Sequence, residues 1–289
     1  MFPADFDYQA PKSLSEAVAV LTKNPDDTKA LAGGQSLLPL MKLRLATPGM
    51  LIDLRNVPEL RGIRSDGSGV IFGAMTTYWQ AIDSPITQSK TPLIIQAVKQ
   101  VGDPQVRARG TIGGSLAHAD PAGDLPAVAL ALNATLHAVG PNGERDIAAT
   151  NFFVDMLTTA LQPGELLTWV RFEGTDAPRT GTAYVKHKHP ASGYAVVGVA
   201  AVVTLDGGGA VQQARVAVTG AGTHAVRATS VEQALSGQPT THAVTASAHA
   251  ADGLDLLSDY YASADYRAHL TRTLTARALH QAAAIAAQR

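Results

Sequence analysis

The chain contains no cysteine. That absence removes disulfides, thiolate nucleophiles, CxxC redox pairs, Cys-ligated zinc and Cys-ligated iron-sulfur clusters. Redox chemistry on this polypeptide therefore requires a bound organic cofactor. The same absence does not identify a compartment, because cytosolic and Cys-poor secreted proteins share it. Charge is also sparse, at 16% of residues, and it balances to -1. Nothing in that balance draws the chain toward nucleic acid or an anionic lipid surface. No run reaches the roughly 18 to 20 apolar residues of a membrane span. The start, MFPADFDYQAP, lacks the basic and apolar regions of a secretory signal. A cytoplasmic location is the expectation. There is also no GxGxxG between a strand and a helix, no GxxxxGK followed by Ser or Thr, and no GxSxG elbow. These gaps argue against a Rossmann nicotinamide site, a P-loop and a serine-hydrolase nucleophile.

What is present is 289 residues with 46% hydrophobic content, enough to bury a sizeable core in two or three units. Ser13 and Glu16 have capping-box spacing ahead of SEAVAVL, which predicts a helix from about Ser13 to Leu21. LLPLMKLRLATPGMLIDL reads as a turn, a short helical piece and a strand ending near Leu54. GVIFGAM reads as a strand. TTYWQAI and PLIIQAVKQV read as helices separated by a break at Ser84 and Pro85. Gly102 to Asp124 reads as loop, LPAVALALN as helix, ATLHAVG and ERDIAA as a hairpin, and ELLTWVRF as a strand. Glu173 to Gly181 has the composition of a linker. Beyond it, YAVVGVAAVVTL and ARVAVTGAG flank Asp206 and three glycines as a long antiparallel hairpin. Tyr266 to Gln288 reads as a closing helix.

Two segments combine small and polar residues: Ala32-Gly33-Gly34-Gln35-Ser36 and Thr111-Ile112-Gly113-Gly114-Ser115. Successive glycines let backbone N–H groups approach an anion with no Cβ in the way, and a following helix adds its positive end. Each segment is a candidate phosphate cradle, and two of them about 80 residues apart suit a dinucleotide diphosphate. A single glycine pair is more often a tight turn, so the pairing carries the argument. Downstream, Asp124 is a candidate for ribose hydroxyls, with helix capping as its plain alternative. Asp120 reads as a turn cap. His118 either packs on a cofactor or on its own loop. His187 and His189 share one face of a strand, and no third ligand lies nearby in sequence to make a metal site. Lys42 and Arg44 read as a solvated face or a partner contact.

AGGQSLLPLMKLR, at Ala32 to Arg44, and QVRARGTIGGSLAHADPAGDLP, at Gln105 to Pro126, resemble the paired FAD-binding motifs of a known family. It is the flavoprotein medium subunit of the xanthine dehydrogenase and aerobic carbon monoxide dehydrogenase family, the molybdenum hydroxylases. SGYAVVGVA is a further characteristic run, and the likeness spans the chain.

The resemblance implies an α+β fold. Its parts are a two-part FAD-binding domain of the vanillyl-alcohol-oxidase or PCMH type and a C-terminal α+β domain with an antiparallel sheet and helices. It divides the chain into residues 1–55, 56–177 and 178–289. It also implies that Leu31 to Leu37, including Ala32, Gly33, Gly34, Gln35 and Ser36, clasp the FAD pyrophosphate together with Gly110, Thr111, Gly113, Gly114 and Ser115. His118 and Asp124 follow, with Asp124 on the ribose side. Val101 and Tyr194 fall near the isoalloxazine, and Leu167 and Lys186 align with further flavin contacts. Ser115 stands where several members carry Asn or Asp, and Gln35 where others carry His or Asn.

Partners follow by the same resemblance. A large subunit carries the molybdenum cofactor and oxidises substrate, and a small subunit carries two 2Fe-2S clusters. The flavin takes electrons singly and releases them as pairs to a quinone, NAD or oxygen. No acid, base or nucleophile is expected in this chain. The substrate expected first is carbon monoxide, with nicotine, caffeine, xanthine and other N-heterocycles next. Two readings of other classes are a stand-alone flavin oxidase, which needs a substrate-covering domain, and a colourless anion-binding module.

Overall fold

Each of three larger sheets takes its form from a different hydrophobic pattern. The computed structural model describes residues 2–289. The chain opens with β1 (Asp7–Gln9), α1 (Leu14–Lys23), β2 (Thr28–Leu31), α2 (Leu37–Lys42) and β3 (Met50–Asp53). β1 and β2 pair in parallel with the two edges of β3. The capping arrangement at α1 differs by one residue from the reciprocal form expected. The Ser13 hydroxyl accepts the Glu16 N–H, but the Glu16 carboxylate accepts from the amide of Lys12.

Next come β4 (Ile63–Asp66), β5 (Gly69–Gly73), α3 (Tyr78–Asp83), α4 (Pro85–Lys90), α5 (Pro92–Val98), α6 (Pro104–Arg109), α7 (Ile112–His118) and α8 (Asp124–Ala131). β6 (Thr135–Gly140), β7 (Gly143–Ala148), the small pair β8 (Phe153–Asp155) and β9 (Thr158–Thr159), and β10 (Leu166–Phe172) complete this part. The sheet is antiparallel, in the order β4-β5-β10-β6-β7. The break at Ser84 and Pro85 starts a helix of its own. Pro85 occupies the first helical position, where its missing N–H costs nothing, and the Ser84 hydroxyl accepts the Thr87 N–H. α8 is buried on every side, which explains why its sequence is apolar without a polar face.

The last part is β11 (Thr180–Lys188), β12 (Ala195–Leu205), β13 (Val211–Thr219), β14 (Val226–Arg227), α9 (Thr229–Leu235), α10 (Ala243–Ser247) and α11 (Ala264–Ala287). Its antiparallel sheet has two dry faces, so β12 is apolar at nearly every position and does not alternate. Ala200, Val202 and Ala217 join the core around α5 and α8, whereas Val199, Ala201 and Val203 join the core under α11. Period-two geometry thus makes one strand serve two cores. The architecture is α+β, as the sequence implies.

Two expectations are corrected. Gly102 to Asp124 is largely helical, through α6 and α7, because Asp103 with Pro104 and then Thr111 each cap a new helix. Glu173 to Gly181 is no free linker. The amides of Glu173 and Thr175 donate to the carbonyls of Leu132 and Lys90, and Thr180 already belongs to β11.

α11 is bolted to the sheet by Arg267, whose side chain is 6% exposed and donates to the carbonyls of Val196 and Gly220, both at 2.7 Å, and to Asp259 at 2.5 Å. Arg267→Met leaves two buried carbonyls without donors and is expected to cost about 3 kcal/mol. Urea unfolding measures it, and a loss under about 1 kcal/mol would count against this role.

Candidate functional site

The two glycine segments meet. A Cβ placed on Gly33 would lie 2.3 Å from the carbonyl oxygen of Arg109 and 2.9 Å from the Cα of Gly110, so the backbones touch where only glycine fits. A Cβ on Gly114 would lie 3.3 Å from that of Ala32. The chain turns after β2 through Ala32 to Ser36 and enters α2. Along this turn the amides of Gly33, Gly34, Gln35, Ser36 and Leu37 donate to no atom among the described residues. A run of five unpartnered N–H groups in a half-buried turn is what a diphosphate requires.

The second segment differs from the first in its donors. Thr111 caps α7 and its own amide donates to no atom among the described residues, whereas the other four amides donate within the chain. The amides of Ile112 and Gly113 donate to the carbonyls of Thr76 and Ala74, that of Gly114 to the Thr111 hydroxyl, and that of Ser115 to the Thr111 carbonyl. Its glycines serve close approach: a Cβ on Gly113 would be 2.4 Å from the Cβ of Ala74. Tyr78 packs over Gly110, within 2.7 Å of where its Cβ would be, and its hydroxyl interacts with Ser115.

Burial pushes the Tyr78 phenol up to about 12, against the pull of the Ser115 hydroxyl. Between pH 10 and about 12 the folded chain keeps this proton and the unfolded chain loses it, so stability falls as pH rises through that window. Tyr78→Phe should flatten this slope. Denaturation midpoints at about pH 9 and about pH 11 compare the two proteins, and equal slopes would rule out Tyr78 as the source.

Asp124 is 6% exposed and engaged inside the chain. The Tyr184 hydroxyl donates to Oδ1 at 2.5 Å, and Lys186 Nζ lies 2.9 Å from Oδ1 and 3.0 Å from Oδ2. A hydroxyl group approaching Asp124 would have only the lone pairs these donors leave. The helix-cap alternative fails, since Gly123 is the N-cap of α8. Burial pushes the Tyr184 phenol well up, reinforced by the Asp124 charge. The Lys186 side chain is 0% exposed, and its ammonium also donates to the carbonyls of Gln100 and Gly193.

Tyr194 is half-exposed beside Ser36 and Asp120; burial raises its phenol first and the Asp120 carboxylate second. His118 ends α7 with Nε2 3.9 Å from Asp120, and Asp120 accepts the Ala122 N–H, the turn cap expected of it. Val101 packs at the edge of the core, and Leu167 lies within it at a register shift in β10. The rings of His187 and His189 lie against Tyr266 and Tyr261, and the His189 amide donates to the Tyr194 carbonyl. Lys42 and Arg44 lie on an exposed stretch after the first turn. Sequence reasoning missed Tyr78, Tyr184 and Arg107. The i, i+2 spacing of Tyr184 and Lys186 on one strand face was the readable signal for the second of these.

This α+β fold, with two glycine segments in backbone contact and a C-terminal sheet beside them, is that of a flavoprotein domain pair. Residues 4–172 match the FAD binding domain in molybdopterin dehydrogenase, and residues 182–282 match the CO dehydrogenase flavoprotein C-terminal domain. The chain belongs to the family of FAD-binding medium subunits of carbon monoxide dehydrogenase-type molybdenum hydroxylases, and FAD is its cofactor. It is 43% identical over 284 residues to the carbon monoxide dehydrogenase medium chain of Hydrogenophaga pseudoflava, covering 98% of each. It is 38% identical to 6-hydroxypseudooxynicotine dehydrogenase complex subunit alpha of Paenarthrobacter nicotinovorans, covering 98% of this chain and 97% of that one. Reconstituted CO dehydrogenase from Oligotropha carboxidovorans superimposes with a TM-score of 0.95 at 39% identity, over 99% of this chain and 100% of that one. The protein is thus an oxidoreductase subunit. No helix among the described residues is long and apolar enough to cross a membrane.

Proposed function

We propose that this chain relays electrons within a carbon monoxide-oxidising molybdenum hydroxylase. The observation that carries the reading is the contact of the two glycine segments beside five unpartnered amides, Gly33 to Leu37. Those amides, entered through Leu31 and Ala32, would hold the FAD diphosphate. Gly110, Thr111, Gly113, Gly114 and Ser115 would form the opposite wall, with His118 at its far end. Val101 and Tyr194 would border the isoalloxazine. Lys186, held by Asp124 and with Leu167 behind it, would set the polarity of that end. Residues 1–55 and 56–177 would then embrace the cofactor, and 178–289 would cover it.

When bound, FAD supplies the exchange between single-electron and paired-electron carriers that no side chain here can perform. The chain's own work is to hold, orient and shield. Electrons would arrive from the iron-sulfur clusters of a small subunit, after substrate oxidation at the molybdenum cofactor of a large one. They would leave to a quinone, NAD or oxygen, in a complex of the cytoplasm. The 43% identity to a carbon monoxide dehydrogenase medium chain supports carbon monoxide over N-heterocycles, for which a relative stands at 38%.

The test uses protein purified through its native complex: a visible spectrum, FAD extraction, then carbon monoxide without oxygen. Released FAD and bleaching of the flavin band are expected. FAD without bleaching would move the substrate to N-heterocycles, and a complex that releases no FAD would remove the reading.

A further inference from the structure

Three successive carbonyls, those of Gln100, Val101 and Gly102, are each held by a cation. Lys186 donates to the first at 3.0 Å. Arg107 donates from one guanidinium nitrogen to the second at 2.9 Å and to the third at 3.2 Å. Arg107 has no carboxylate partner among the described residues, so its interactions within the chain are with the backbone. The turn it closes is tight: Gly102 has φ +48, and a Cβ there would lie 2.8 Å from that of Val106.

α6 carries Arg107, and its two ends are fixed to different parts of the site. At its C-terminal end, the Arg109 carbonyl and Gly110 meet Gly33 of the diphosphate turn. From its last turn, Arg107 reaches back past the N-terminal end to tie the helix to Val101, whose side chain packs on the main core. With six residues, α6 is a rigid strut only about 9 Å long.

We infer that Arg107 is a positioning residue for the flavin: by locking the Gln100–Gly102 turn to α6, it fixes the separation between Val101 and the diphosphate turn. This rests on the reading that Val101 borders the isoalloxazine. Lys186 holds the same turn from the C-terminal sheet, so the wall is gripped from two directions, and removing Arg107 releases one of them.

Arg107→Met, Arg107→Lys and Val101→Ala, made in the full chain, test this. Each is measured by FAD titration, by visible circular dichroism of the bound flavin, and by thermal unfolding of the FAD-free protein. Arg107→Met should raise the FAD dissociation constant about tenfold and change the flavin dichroism, with little change in unfolding temperature. Arg107→Lys should recover most of both, because an ammonium can still donate to a carbonyl of the turn. Wild-type affinity and dichroism in Arg107→Met would overturn the inference. So would a loss of affinity accompanied by a matching drop in the unfolding temperature, which marks general destabilisation. If Val101→Ala leaves the flavin dichroism unchanged, the placement of Val101 is wrong, and the inference falls with it.

Discussion

Gly33→Ala is expected to abolish stoichiometric FAD binding. The added methyl group would sit 2.3 Å from a backbone carbonyl oxygen, and neither partner is a flexible side chain that could swing away. The two segments must separate, at an overpacking cost of about 1–3 kcal/mol, and the cofactor loses the geometry that aligned five amides on its diphosphate. An increase of about 100-fold in the FAD dissociation constant is expected. Gly207→Ala is the control, since nothing lies within 4 Å of a Cβ there. Flavin absorbance per chain and a fluorescence titration read the outcome. Full occupancy with wild-type affinity in Gly33→Ala would mean that this backbone contact does not shape the site.

Lys186→Met is the second large effect. The ammonium is completely buried and serves three oxygen-bearing partners: the Asp124 carboxylate and the carbonyls of Gln100 and Gly193. Removing it strands a carboxylate that is itself 6% exposed, and breaking such a pair from one side costs about 3–5 kcal/mol. Chemical denaturation should register that loss, and FAD affinity should fall with it because the Gln100–Gly102 turn loses the cation that holds it from the C-terminal sheet. A cycle with Asp124→Asn separates the pair from its surroundings. The double variant should be less unstable than the sum of the single ones by about 1 kcal/mol or more. Strict additivity would deny that the two groups act together.

Local signals named most elements correctly. α1, α5, α8, the β6–β7 and β12–β13 hairpins and α11 all lie where periodicity and turn residues put them, because each has a pattern readable within its own length. The failures share a different cause. Gly102 to Asp124 reads as loop because Gly, Pro and Asp dominate it, yet Asp103 and Thr111 are helix caps and the glycines of α7 are packing contacts against Ala74. The composition is the same in both cases, and only the neighbours differ. Asp124 shows the same limit: its partners within the chain, Lys186, 62 residues away, and Tyr184, 60 away, have no signature near it in sequence.

The sequence by itself determined the family and the cofactor class. Glycine at Gly34 is a local requirement of its φ of +75, whereas Gly33 is demanded by the distant backbone of Arg109 and Gly110; the missing cysteines exclude thiolate-bound metals without reference to any fold. Tertiary structure alone decided which segment keeps free donors and which spends most of them within the chain, since a donor is free or used according to the carbonyls that reach it. It also decided that Lys186 of the C-terminal sheet holds the Gln100–Gly102 turn. That contact joins residues far apart in the chain, and its strength comes from burial, which no stretch of sequence read alone contains.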